Sequence, residues 1–173
     1  YNKGGAIIHI LRHEIQYDPL FFKVLETFQT NFTDSTATGE NFKNTVEDVT
    51  GRDFDQFFDQ WYYGEGYPIY NIEYYNLEGT FHMTSLQTTS SSTPFFDMLM
   101  DFRLYFGDGT DTLISIQQNE NLENVAMYFG KDVLYIDIDP NNWTMEQSSV
   151  SVSIKEKQSP ITFSLGQNQL TED

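Results

Sequence analysis

The hydrophobic pattern changes period near Pro68. Before it, apolar residues recur at helical spacing; after it, they alternate. One chain carrying both periods in separate blocks cannot be all-helical or all-β, so the spacing predicts an α+β architecture with helices first and strands second.

The first block divides into four helices. One runs from about Gly5 to Gln16, with Ile7, Ile8, Leu11 and Ile15 on its apolar face. Asp18-Pro19 starts the next, Asp18 as N-cap and Pro19 in the first helical position, with Phe21, Val24, Leu25 and Phe28 as the buried stripe. After a polar turn over 31–37, Thr38 caps a third helix carrying Phe42, Val46 and Val49, which Gly51 stops. Asp53 caps a fourth. Its Phe54, Phe57, Phe58 and Trp61 stand at i, i+3, i+4 and i+7, and Gly64, Gly66 and Pro68 end it.

The second block predicts about seven short strands. The clearest alternation is Phe96, Met98, Met100, Phe102, Leu104 and Phe106, followed by a hairpin signal at Gly107-Asp108-Gly109-Thr110. Further runs lie at 69–77, 81–86, 113–116, 125–129, 134–138 and 150–154. That number of strands suits an immunoglobulin-like antiparallel β-sandwich. The Ser/Thr-rich stretch 88–93 reads as a loop, and residues 156–173 as a tail or linker. The expected domains are therefore 1–68 and 69–155.

Composition excludes several function classes. The 173 residues are 39 % hydrophobic and 16 % aromatic, which supplies a core and argues against wholesale disorder. A net charge of −17 repels phosphate backbones and anionic lipid, so no nucleic-acid partner is expected. With no cysteine, disulfides, thiol catalysis and Cys-ligated zinc are ruled out. No apolar run approaches the roughly 20 residues of a membrane helix, so no membrane insertion is expected.

The helical block resembles the aminopeptidase N family of gluzincin zinc metallopeptidases. Tyr1-Asn2-Lys3-Gly4, continued by the helix from Gly5 to Arg12, looks like the family's Tyr-x-Lys-Gly motif. The segment from Thr38 to Trp61, with Gly51-Arg52-Asp53-Phe54, and Gly64-Glu65-Gly66-Tyr67-Pro68 are similar to the family's passage out of the catalytic domain into a β-domain. Asp139-Pro140-Asn141-Asn142-Trp143 is similar to that domain's end. The resemblance implies that the helices are the far end of a thermolysin-like catalytic domain, and that the parent enzyme removes N-terminal residues from peptide substrates with a zinc cofactor. It also implies that Tyr1 donates a hydrogen bond to the oxyanion formed as water attacks the peptide carbonyl, a role that suits a phenol neutral at working pH.

Departures from the family pattern matter as much. His-Glu-x-x-His, the downstream Glu ligand and the Gly-x-Met-Glu-Asn substrate motif are all absent from this sequence. The chain is expected to be a fragment whose zinc motif lies upstream, inactive alone, with no zinc bound to it. Its helices would then expose a patch normally covered by the rest of the catalytic domain, and the fragment would self-associate. The acidic, Asn- and Thr-rich, cysteine-free composition points to a bacterial, exported protein (periplasmic, surface or secreted).

Other candidates have plainer readings. His9 and His13 share a helix face, but Ile10 stands where the peptidase motif needs Glu, so they read as surface or interdomain packing. Asp108 and Asp111 do not match a calcium loop and read as a solvated turn; Asp137 and Asp139 with Asn141 and Asn142 read the same way. Tyr62, Tyr63, Tyr67, Tyr70, Tyr74 and Tyr75 suit a packing layer between helices and sandwich. An aromatic platform in a non-catalytic carbohydrate-binding or adhesion module is the alternative reading. Asn31-Phe32-Thr33 and Asn142-Trp143-Thr144 match the short glycosylation pattern.

Overall fold

The computed structural model describes residues 2–153. Tyr1, Ile154 and the expected tail 156–173 lie outside the described residues. Four α-helices come first: α1 (Asn2–Ile15), α2 (Asp18–Asn31), α3 (Gly39–Thr50) and the short α4 (Asp55–Phe57), which runs into a π-helical turn, Phe58–Tyr63. The strands follow as β1 (Pro68–Leu77), β2 (Thr80–Thr89), β3 (Met98–Phe106), β4 (Asp111–Gln118), β5 (Leu122–Tyr128), β6 (Val133–Ile138) and β7 (Gln147–Val152). Among the described residues no helix is long and apolar enough to cross a membrane.

Helix ends follow local chemistry with two corrections, at Asp18 and at Asp53, which was expected to cap the fourth helix where Phe54 stands instead. Thr38 forms a capping box with Asn41, accepting from its backbone N–H while the Asn41 side chain accepts from Thr38 N–H. Gly51 closes α3 in the left-handed region at φ 68°. Asp18, expected as an N-cap, is instead the first residue of α2; Tyr17 precedes it in an extended conformation. Its carboxylate turns away from the helix N–H groups to take a bidentate bond from Arg12, at 2.8 and 2.6 Å.

The expected fourth helix is also corrected. Phe54, Phe57, Phe58 and Trp61 are all buried, but Phe54 lies before α4 and the last two stand on the wider π turn. That turn sets Trp61 against Phe96, ring centroids 4.5 Å apart, while Phe58 packs edge-on to Phe42.

The strands form one sheet in the order β5-β2-β1-β7 and another in the order β4-β3-β6. Tyr70, Ile72 and Tyr74 of β1 and Phe81 and Met83 of β2 face the same core as Met98, Met100, Phe102 and Leu104 of β3. Buried polar groups bridge the sheets: Ser85 donates to Gln118 Oε1 at 2.6 Å, and Phe96 N–H to Gln87 Oε1 at 2.7 Å. An all-antiparallel arrangement was expected; β1 and β7 pair in parallel, with Ile69 opposite Gln147. The connection 139–146 carries the chain from β6 to the other sheet and delivers it beside the start of β1, so both strands leave in one direction.

α1 is the joint between the two halves. Ile7, Ile10, Leu11 and Ile15 are buried with α2 and the π turn, while His13 and Glu14 are buried against β3. Both halves contribute to one buried apolar cluster.

Candidate functional site

Two motif segments meet in space. The Lys3 ammonium donates to the Gly64 carbonyl at 2.8 Å, tying the first turn of α1 to the turn that leads into β1. That turn is tightly specified. A Cβ on Gly64 would lie 2.2 Å from the Gln60 carbonyl oxygen and 2.8 Å from Thr93 Oγ1, so no larger residue fits without displacing backbone. Glu65 N–H donates to Thr93 Oγ1 and Tyr67 N–H to Ser90 Oγ, both at 2.9 Å. The Ser/Thr stretch thus holds the turn in place, a role its composition did not announce. Tyr1, the expected oxyanion donor, lies outside the described residues; what is described is the platform formed by Lys3 and this turn.

Beside that platform runs an apolar groove of 390 Å³. It starts at Gly4 and is lined by Ile7, Ile8, Leu25, Phe28, Phe42 and Phe58 among others. Ile7 and Phe58 form its buried floor, Ile8, Leu25, Phe28 and Phe42 are half-buried along it, and Tyr62 at its rim is exposed. A second, 460 Å³ cleft lies between the helices and the three-stranded sheet, with Glu14, Arg52, Asp97 and Gln117 in its wall. Glu14 is nearly enclosed there. Burial pushes its carboxyl above the usual carboxylate range, while the Leu99 N–H it accepts at 2.7 Å and the Arg52 charge pull it back.

The histidine pair packs rather than ligates. Both rings stack on the Trp143 indole, His9 at 4.7 Å and His13 at 5.2 Å between centroids. His9 Nε2 is also 3.2 Å from the Asn142 carbonyl. Trp143 is presented by Asp139, whose carboxylate accepts from the backbone N–H groups of Trp143 and Thr144, each at 2.8 Å. Asp139 is therefore a turn organiser, and the segment 139–143 docks the β half onto α1. The second turn behaves likewise: Asp108 accepts from Thr110 and from Lys131, and these bonds hold its carboxyl well below the usual range.

Among the described residues, one acidic group has its oxygens within 4.8 Å of one another: Glu47, Asp53 and Asp55. Each already has a partner. Glu47 accepts from Phe54 N–H, Asp53 from Asp55 N–H, and Asp55 pairs with Lys43. This set, like the two stacked histidines, does not fit a catalytic zinc, which needs imidazole and carboxylate donors converging on an open position.

The tyrosine group does not form one layer. Tyr70 and Tyr74 are buried in the β core, Tyr62, Tyr63 and Tyr67 are exposed, and Tyr75 stacks on His82 at 4.6 Å. Period-two alternation sends the strand tyrosines to opposite faces, and the π turn leaves Tyr62 and Tyr63 outside.

No protein-family model matches the sequence. Over 73 residues, 42 % of the chain, it is 29 % identical to an Aminopeptidase N of Lactococcus lactis subsp. lactis, of which the match spans 8 %. In fold it resembles Legionella pneumophila aminopeptidase A, crystallised in complex with aspartic acid: the TM-score is 0.69 over 88 % of this chain and 18 % of that one, at 13 % identity. The chain thus spans less than a fifth of either protein. The partial sequence identity supports an aminopeptidase-family relationship, and the structural likeness shows a shared fold.

Proposed function

We propose that this chain is the far end of the catalytic domain of a zinc-dependent aminopeptidase, together with the β-domain behind it. The helices correspond in this reading to the end of a thermolysin-like domain, and the two sheets to an immunoglobulin-like sandwich. The observation that carries it is the Lys3–Gly64 bond, which joins the two segments resembling the family's Tyr-x-Lys-Gly motif and its domain exit. The partial identity to an aminopeptidase N supports the same reading.

The reaction would be removal of N-terminal residues from peptides. Zinc and its ligands belong to residues outside this sequence, which holds no His-Glu-x-x-His. This chain would supply Tyr1, whose phenol donates to the oxyanion; Lys3, two residues on, bonds to Gly64. The open groove along α1, α2 and α3 suits a surface covered by the rest of the catalytic domain. The chain alone would be inactive and would bind no zinc. Export is proposed from the acidic, cysteine-free composition.

The test compares this chain with a longer product of its gene in an assay for N-terminal residue release from peptide anilides. The expected result is no turnover by the 173 residues alone and turnover by the longer protein. Tyr1→Phe should then lower kcat by about 10²–10³, the usual effect of losing one oxyanion donor. An inactive longer protein, or one indifferent to Tyr1→Phe, would overturn the reading.

A further inference from the structure

His13 stands at the joint between helices and sheet with an unusual shell. It is 7 % exposed, its ring lies within 10° of parallel to the Trp143 indole, and its Nε2 has no hydrogen-bond partner. The facing group is Asp101 of β3, itself 5 % exposed, with Oδ1 3.8 Å from Nε2. That gap exceeds hydrogen-bond length. Asp101 Oδ1 already takes the Ser115 hydroxyl at 2.6 Å, and the imidazole is stacked on Trp143.

We propose that His13 is an acid-sensitive latch: neutral, it packs α1 onto β3 and Trp143; protonated, it loosens that joint. Burial and the charged groups around it act in opposite directions. From α1 itself come His9, on the same indole, and the Arg12 guanidinium, 5.7 Å from the Trp143 ring centre. Arg12 is largely answered by Asp18 of α2. From β3 comes Asp101, and from the turn after β6 comes Asp139; both favour the cation, but Asp139 is committed to the Trp143 and Thr144 N–H groups. Removal from water outweighs them and holds His13 below the ordinary histidine range. A basic group depressed in this way contributes stability that is complete above the unfolded value of about 6.5 and is lost as pH falls toward the folded one. Loosening would open the 330 Å³ cleft that His13 shares with Arg12, Asp101, Ser115 and Trp143.

The test follows the imidazole signals of the chain by NMR from pH 8 to 5, together with amide exchange corrected for its intrinsic rate. His13 should titrate below the ordinary value. Over the same range, exchange in the last two turns of α1 should accelerate by up to about tenfold per pH unit, the slope for one proton. Amides of β1 and β2 should keep their rates. His13→Gln should abolish the acid step and His9→Gln should retain it. If the Gln variant does not fold, the wild-type titration decides alone. A His13 that titrates at or above the ordinary value, helix and sheet opening together, or an acid step surviving in His13→Gln would overturn the latch.

Discussion

Lys3 and Gly64 are 61 residues apart in sequence, and a 2.8 Å bond from the Lys3 ammonium to the Gly64 carbonyl brings the start of α1 onto the exit from the π turn. The bond is exposed, so its own contribution is modest. Lys3→Met should destabilise the chain by about 1 kcal/mol, as a net hydrogen-bond loss does, with a correspondingly lower urea midpoint. An unchanged midpoint would mean the two segments are held together by packing alone.

Gly64→Ala should cost more than Lys3→Met. The added methyl would meet the Gln60 carbonyl, a backbone atom that cannot rotate away. A loss of roughly 1–3 kcal/mol is expected, the cost of forcing an atom into a filled site. Thermal unfolding would measure it, and a melting temperature equal to wild type would show that the turn relaxes freely.

Thr38→Ala removes one half of the α3 capping box while leaving the core untouched. The expected loss is about 1 kcal/mol. Thr38→Asn should recover most of it, since Asn also accepts at an N-cap. Failure of that rescue would point away from capping.

Glu14 gives a pH-dependent prediction of opposite sign to His13. Its folded-state carboxyl is raised by burial, so the folded chain holds the proton more tightly than the unfolded one. That contribution is present below the unfolded value and is lost as pH rises through the folded one. Glu14→Gln keeps an acceptor for Leu99 N–H without the buried charge. It should raise the melting temperature at pH 8 by roughly 2–4 °C, the shift that about 1 kcal/mol produces at this size, and the gain should vanish at pH 4. A gain independent of pH would refute the charge argument.

The apolar groove predicts association. The chain should bind a hydrophobic dye or self-associate at micromolar concentration. Leu25→Asp, in the groove wall, should reduce both. A dye-silent monomer in sedimentation would count against the reading of this groove as a surface that the rest of a catalytic domain covers.

Much of the architecture was legible along the chain. The four-position spacing of Phe54, Phe57, Phe58 and Trp61 announced burial correctly, and all four are in the core. Thr38 and Gly51 marked the ends of α3 because capping acts within one turn of backbone. Alternation along β3 separated Met98, Met100, Phe102 and Leu104, which are buried, from Leu99, Arg103 and Tyr105, which are less so. Asp18 misled because its local capping preference competed with Arg12, a partner six residues back and one helix away.

By itself, then, the sequence determined the helical and the extended blocks, where α3 begins and ends, and which faces seek a core, since periodicity and capping are short-range physics. Only the tertiary structure decided the parallel seat of β7, the split of the tyrosines, the Lys3–Gly64 tie and the burial of His13 against Asp101. Each of these joins groups distant in the chain. Such pairs are chosen by how helices and sheets pack around one shared core, and no local pattern encodes that choice.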